Sequence, residues 1–138
     1  MTPAAPPAAE LVRAFVASSP FARRVGLEVV ELAADRAELR LPFDEGNVTI
    51  ADVLHGGAIA TLLDVTAAAT AFCAPEALDV TSGATVSLTV NYVRAGRGAL
   101  HCVGRATRRA GGLCFCELEA SDSEGRTVAT ALATYRFA

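Results

Sequence analysis

Lysine is missing from this chain. All twelve basic side chains are arginine, set against fifteen acidic ones for a net charge of −3. A nucleic-acid partner needs a basic surface, which this balance does not supply, so that class of function is excluded; the lysine deficit is assigned to genome composition. Long apolar runs are also missing. No stretch reaches the roughly 18 uninterrupted apolar residues of a membrane span, so no membrane partner is expected. The N-terminus lacks the basic region and apolar core of a secretory signal, and the expected location is cytoplasmic. Cysteine and histidine are scarce, with four and two copies and no Cys-x-x-Cys pair, so no metal site is expected. No internal repeat is visible.

The chain has 138 residues, 52% of them apolar, which suits one domain, 1–138, with a good core. Its organising stretch is HGGAIATLLDVTAAATAF, residues 55–72. Between His55 and Glu76 the only charged side chain is Asp64, whereas a helix lying half in water carries a charged face, so this helix is expected to be wrapped by protein. It has no interior proline and many alanines, and at about 1.5 Å per residue it is roughly 27 Å long. Pro75 predicts its end near Cys73, because the residue before proline avoids the α region. At 100° per residue, Asp64 shares a strip with Gly57, Ala60, Thr61, Ala67, Ala68 and Ala71, while Ile59, Leu62 and Leu63 fall opposite. Small side chains beside an acid let a ligand or another backbone come close, and lost solvent strengthens the acid's interactions.

His55, Gly56 and Gly57 stand at the helix start, where backbone N–H groups lack intrahelical partners and the dipole favours negative charge. Glycine there admits a substrate oxygen to the backbone, the arrangement of an oxyanion hole. His55 and Asp64, nine residues apart, differ by half a turn and by roughly 13 Å along the axis. One helix cannot bring both to one substrate. If both serve one reaction, a second subunit completes the site, and a homodimer or homotetramer is expected.

The remainder reads as short elements. MTPAAPPAAE is Pro/Ala-rich and expected to be disordered over 1–10, followed by an amphipathic helix from Leu11 to Ala17 that serves as a lid or packing element. Val25 to Leu32 and Ala37 to Phe43 alternate as a hairpin, and the loop from Asp44 to Leu54 leads to the central helix. Four strands follow: Thr85 to Val93, Ala99 to Arg109, Leu113 to Asp122 and Thr127 to Phe137. In the first, Val86, Leu88, Val90 and Tyr92 share one face and Thr85, Ser87, Thr89 and Asn91 the other. Cys114 and Cys116 point the same way and read as small buried hydrophobes. Arg94, Arg97, Arg105, Arg108 and Arg109 gather at strand ends around Gly98 and Gly111-Gly112, where guanidinium forks and open amides could meet phosphates; coenzyme A would fit.

The pattern N…HGGAIATLLD, followed by TVSLTVNYVRAG and the terminal GRTVATALATYRF, resembles the hotdog-fold acyl-CoA thioesterases of the phenylacetate-degradation (PaaI-type) group over roughly Val25 to Phe137. The resemblance implies an α+β hotdog fold, a long central helix wrapped by an antiparallel sheet of five to six strands, and hydrolysis of an acyl-CoA thioester with no cofactor beyond the CoA of the substrate. It implies Asp64 as base or nucleophile, the Gly56 amide beside His55 as oxyanion donor, and Asn47 as the residue that positions water or substrate. Asn47 departs from the family's spacing, standing eight residues before His55 instead of six, with Asp52 at the usual glycine place. Thr85 and Gly57 are expected near the reacting centre. Ser87, Tyr92, Arg94 and the turn with Arg108, Arg109, Gly111 and Gly112 are expected against CoA. Two other readings stay open: a non-catalytic acyl-CoA-binding or regulatory module of the same fold, and a hydratase or dehydratase.

Overall fold

The computed structural model describes residues 2–3, 6–76, 78–79 and 82–138. Helix α1 spans Pro6–Ser18, so it begins before the expected Leu11 and takes in residues 6–10, read from composition as disordered. Proline in a first turn gives up only an N–H that has no intrahelical partner, and the alanines and Glu10 that follow favour the helix. A short helix α2, Pro20–Val25, opens with proline and closes at Gly26, which takes φ +95° and donates its N–H to the Ala22 carbonyl. It takes Val25 out of the strand expected there.

Strands β1, Glu28–Ala33, and β2, Arg36–Leu41, form the expected hairpin. The loop to the central helix holds a one-turn 3-10 helix, Glu45–Asn47, and a small hairpin of β3, Val48–Ile50, and β4, Val53–Leu54. The central helix α3 is Gly56–Phe72. Four long strands follow: β5, Gly83–Tyr92; β6, Leu100–Ala110; β7, Leu113–Asp122; and β8, Thr127–Phe137. They complete a six-stranded antiparallel sheet of order β1-β2-β6-β7-β8-β5. The sheet curls round α3 in the hotdog arrangement, and β5 is an edge strand.

The core lies between sheet and helix, where Leu39, Leu41, Leu62, Leu63, Leu100 and Val128 are fully buried. Thr66 and Thr70 are buried too, each returning its hydroxyl to the carbonyl one turn back, at 2.7 Å. Against them the sheet offers Gly104, where a Cβ would stand 2.3 Å from the Thr70 hydroxyl, so only glycine lets α3 pack this closely on β6. All four cysteines are buried, with Cys114 and Cys116 facing the same way, their sulfurs 3.7 Å apart. Burial pushes the Cys73 thiol up to about 11 and the Cys102 thiol up to about 12, so both stay protonated and pack as hydrophobes.

The single chain does not wrap α3 completely. Ile59, Leu62, Leu63, Thr66, Ala67, Ala69, Thr70 and Ala71 are buried, but Ala60, Thr61, Asp64, Ala68 and Phe72 are half-buried and Gly57 is exposed. Ala67 and Ala71, expected on the Asp64 strip, belong to the covered side. The lack of charge read as full enclosure therefore marks a low-polarity face that this chain leaves partly open.

Candidate functional site

At the N-terminus of α3, His55 is the cap. Its backbone is extended and its Nδ1 accepts the Gly57 N–H at 2.8 Å, which fixes the ring's other nitrogen as the outward one. The His55 carbonyl takes the N–H groups of Ala58 and Ile59. The Gly56 N–H is left without an acceptor among the described residues. Tyr92 crosses from the end of β5 and donates its hydroxyl to the Gly56 carbonyl at 2.9 Å, its ring 3.5 Å from where a Gly56 Cβ would be. A cavity of about 370 Å³ opens beside these groups, lined by Leu54, Gly56, Ile59, Tyr92, Arg94 and Gly96.

Asn47 is close in space, though its side chain faces away from the cavity. The amide donates to the Val25 carbonyl at 2.7 Å, and the Asn47 carbonyl receives the His55 N–H at 2.8 Å. Asn47 thus ties the His-Gly turn to α2.

Asp64 lies two turns along α3 on the partly open strip, and the Thr85 hydroxyl donates to its Oδ1 at 2.6 Å. Strict alternation would put Thr85 on the face away from Leu88, Val90 and Tyr92. A β-bulge reverses this: Thr85 pairs with Tyr135 and Ser87 with Thr134, so Val86 is an extra residue. Thr85 is thereby turned toward the helix, and Val86 is 52% exposed. Ser87 stays on the outer face, opposite to Tyr92, as the alternation of this strand predicts. Nearby, burial pushes the Tyr135 phenol up, and the Asp64 carboxylate pushes it further the same way.

The five arginines do not form one cluster. Arg94 and Arg97 lie near the N-terminal end of α3, where Arg94 donates to the Thr127 carbonyl at 2.8 Å and Arg97 pairs with Asp52. Arg105 is in the middle of β6 on the outer face, opposite Glu117 of β7 and lining the same cavity as Glu119. Arg108 and Arg109 lie at the other end with the Gly111-Gly112 turn. Arg109 is engaged internally: Nε meets Asp35 at 2.8 Å, and the two terminal nitrogens reach the Ala71 and Thr70 carbonyls at 2.8 and 3.2 Å. Its fork closes the C-terminus of α3, an engagement different from the one expected against CoA phosphates. Arg108 is exposed and has no hydrogen-bond partner among the described residues.

One part of this region was not found by sequence reasoning. A narrow apolar cleft of about 110 Å³ lies between α1 and the C-terminal half of α3, lined by Leu11, Val12, Phe15, Ala68, Phe72 and Tyr135. The i, i+4 pair Leu11 and Phe15 was its available signal. Among the described residues, no three His, Cys, Asp or Glu side chains converge as metal ligands would, and no helix is long and apolar enough to cross a membrane.

Comparison with known proteins sets this geometry in a family. The model described as a domain of unknown function, DUF4442, matches residues 8–136. The medium/long-chain acyl-CoA thioesterase YigI of Escherichia coli is 32% identical, across 88% of this chain and 87% of its own. A thioesterase family protein from Silicibacter pomeroyi superposes with a TM-score of 0.84 at 25% identity, covering 94% of this chain and 97% of that one. The Escherichia coli PaaI protein superposes with a TM-score of 0.83 over 95% of this chain and 93% of its own, a likeness of fold at 15% identity.

Proposed function

Because this chain belongs to the DUF4442 family and to the hotdog-fold acyl-CoA thioesterases, we propose that it hydrolyses acyl-CoA esters with Asp64 of one subunit and the Gly56 amide of another. The observation that carries this reading is the Thr85–Asp64 hydrogen bond, which holds a carboxylate toward the partly open strip of α3 with its second oxygen uncommitted among the described residues. Asp64 takes a proton from water as the oxygen attacks the thioester carbonyl, or attacks that carbon itself. In either route the carbonyl oxygen becomes an anion that the Gly56 N–H receives, and collapse breaks the C–S bond and expels the CoA thiolate, which takes up a proton; in the second route water then cleaves the acyl-aspartyl anhydride, releasing the acid and restoring the Asp64 carboxylate. His55 holds the Gly56-Gly57 turn in register through Nδ1, and Asn47 holds His55 from behind; both are positioning residues here.

The two groups are eight residues apart, roughly 12 Å along the helix axis, too far for both to touch one carbonyl. The edge strand β5 offers the way to join them. It presents ten residues with one side unpaired, and its Val86 and Tyr92 are each more than half exposed. Edges of that length are normally covered. Isologous pairing of β5 with its copy sets two α3 helices side by side in opposite directions, bringing the His-Gly turn of one to the Asp64 strip of the other.

Asp64→Asn keeps shape and hydrogen bonding while removing the base, so thiol release from acyl-CoA falls by about 10²–10⁴ while the ester still binds. The backbone donor is deleted by Gly56→Pro, since proline fits the first helical position and lacks the N–H. Mixing the two inactive variants restores activity to about a quarter of wild type if the site is shared between subunits, one of two sites being intact in half of the dimers. Absence of any recovery in mixed dimers rules out a shared site. Full hydrolysis by Asp64→Asn rules out the mechanism, and a wild type that binds CoA esters without hydrolysing any favours the binding module.

A further inference from the structure

The cleft between α1 and α3 has no part in the chemistry above, but it starts where that chemistry ends. Ala68 and Phe72 lie one and two turns beyond Asp64 on the same face, roughly 6 and 12 Å along the axis. Leu11 and Phe15 close the cleft from α1, and Tyr135, which senses the Asp64 charge, lies along its wall. Its lining has no formal charge. Tyr135 is held in an edge-to-face trio with Phe72 and Phe137, their ring centroids 5.2–5.6 Å apart, so this wall is well packed. The α1 side ends at Phe15, which is 47% exposed and has water on its outer face.

Resting on the thioesterase reading, we propose that this cleft receives the first methylenes of the substrate's acyl chain, making the enzyme selective for straight-chain aliphatic over aromatic acyl groups, with Phe15 on α1 setting the preferred length. A dry cavity of about 150 Å³ is what admits a benzene ring. The cleft here is smaller, about 110 Å³, and narrow, a shape that suits a linear alkyl chain leaving past Phe15 toward solvent better than a ring. Ala68 keeps the entrance open, and a larger side chain there stops the chain near the carboxylate.

The test is the chain-length profile of kcat/KM for butanoyl-, hexanoyl-, octanoyl-, decanoyl- and phenylacetyl-CoA. Each methylene buried contributes about fourfold, so the wild type is expected to climb steeply over the first few added methylenes, then level off, with phenylacetyl-CoA below hexanoyl-CoA. Ala68→Leu is expected to flatten the climb, its loss growing with chain length. Phe15→Ala, at a position exposed enough to spare the fold, is expected to move the plateau to longer chains, which keeps the proposal testable if the leucine variant does not fold. A wild-type profile that is flat, or highest with phenylacetyl-CoA, overturns the cleft assignment while leaving hydrolysis standing. A Phe15→Ala profile identical to wild type overturns it too. If the wild type hydrolyses no ester in the panel, the thioesterase reading falls and this inference falls with it.

Discussion

At the C-terminal end of α3 most of the orphan carbonyls are taken: Thr70 and Ala71 by Arg109 and Ala69 and again Thr70 by the Cys73 N–H, while the carbonyl of the cap Cys73 receives the Asp35 N–H. At the N-terminal end the chain stops short of this. His55 serves Gly57, Ala58 and Ile59, and the Gly56 amide remains open onto a cavity. Both ends begin with the same deficit, four backbone groups without intrahelical partners. The closed end is stabilised by a cation placed where the dipole is negative. The open end keeps a donor where an anion is favoured, at a cost to stability and a gain to binding. The contrast separates residues that hold this helix from residues that act on a ligand, and Arg109 belongs to the first group although its spacing beside Arg108 suggested the second.

The largest effect is expected from closing the open end. Gly56→Pro removes one N–H at a helix position that favours proline, and a Cβ there meets Tyr92 at 3.5 Å, an ordinary contact distance. Loss of an oxyanion donor costs about 10²–10³ in kcat, while the melting temperature stays close to wild type. Steady-state thiol release and thermal unfolding on one sample check both halves. A stable variant with wild-type kcat would mean that the open amide has no part in catalysis.

Opening the closed end is expected to do the reverse. Arg109→Ala leaves the Ala71 carbonyl and Asp35 without their partner and the Thr70 carbonyl with the Cys73 N–H alone, a loss of about 2 kcal/mol for hydrogen bonds to a charged group with only 25% of its side chain exposed. Denaturant unfolding should show it, with KM for CoA esters near wild type. Arg109→Lys restores charge without the fork and should recover only part. Arg108→Ala makes the complementary case. An exposed residue should change stability by less than about 0.5 kcal/mol. If Arg108 meets the CoA phosphates, KM rises with kcat unchanged; an unchanged KM removes the last arginine of that turn from the binding surface.

What could be read beforehand follows from how far each signal reaches. The helix from His55 and the four strands after Pro75 carry their periodicity and their glycine and proline stops within ten to twenty residues, and they lie where local pattern put them. The place of the HGG turn at the start of α3 and of Asp64 on that helix was legible for the same reason, because charge scarcity and glycine pairs are local. The internal bonds of Arg109 were not legible because its acceptors lie 38, 39 and 74 residues away, and no local pattern encodes which partner a guanidinium finds. The Val86 bulge was missed because an alternating run looks alike with or without an extra residue, and here the reversal is fixed by pairing with β8. Proline misled at the start of α1, where its effect depends on whether it occupies a first turn or an interior.

The smallest effect concerns His55, and it sharpens the boundary between holding and acting at the open end. As an N-cap its work is done by one acceptor atom, Nδ1, on the Gly57 N–H. Serine is a stronger N-cap than alanine, so His55→Ala should lose about 1 kcal/mol and His55→Ser close to none. If capping is all that His55 contributes, activity should follow stability, with the serine variant near wild type and the alanine variant lowered through a loosened Gly56 turn. If both variants lose kcat alike while only alanine loses stability, the outward Nε2 acts on the substrate, and His55 moves from the residues that hold α3 to those that touch the ligand. Unfolding curves and kcat for the two variants decide between these outcomes.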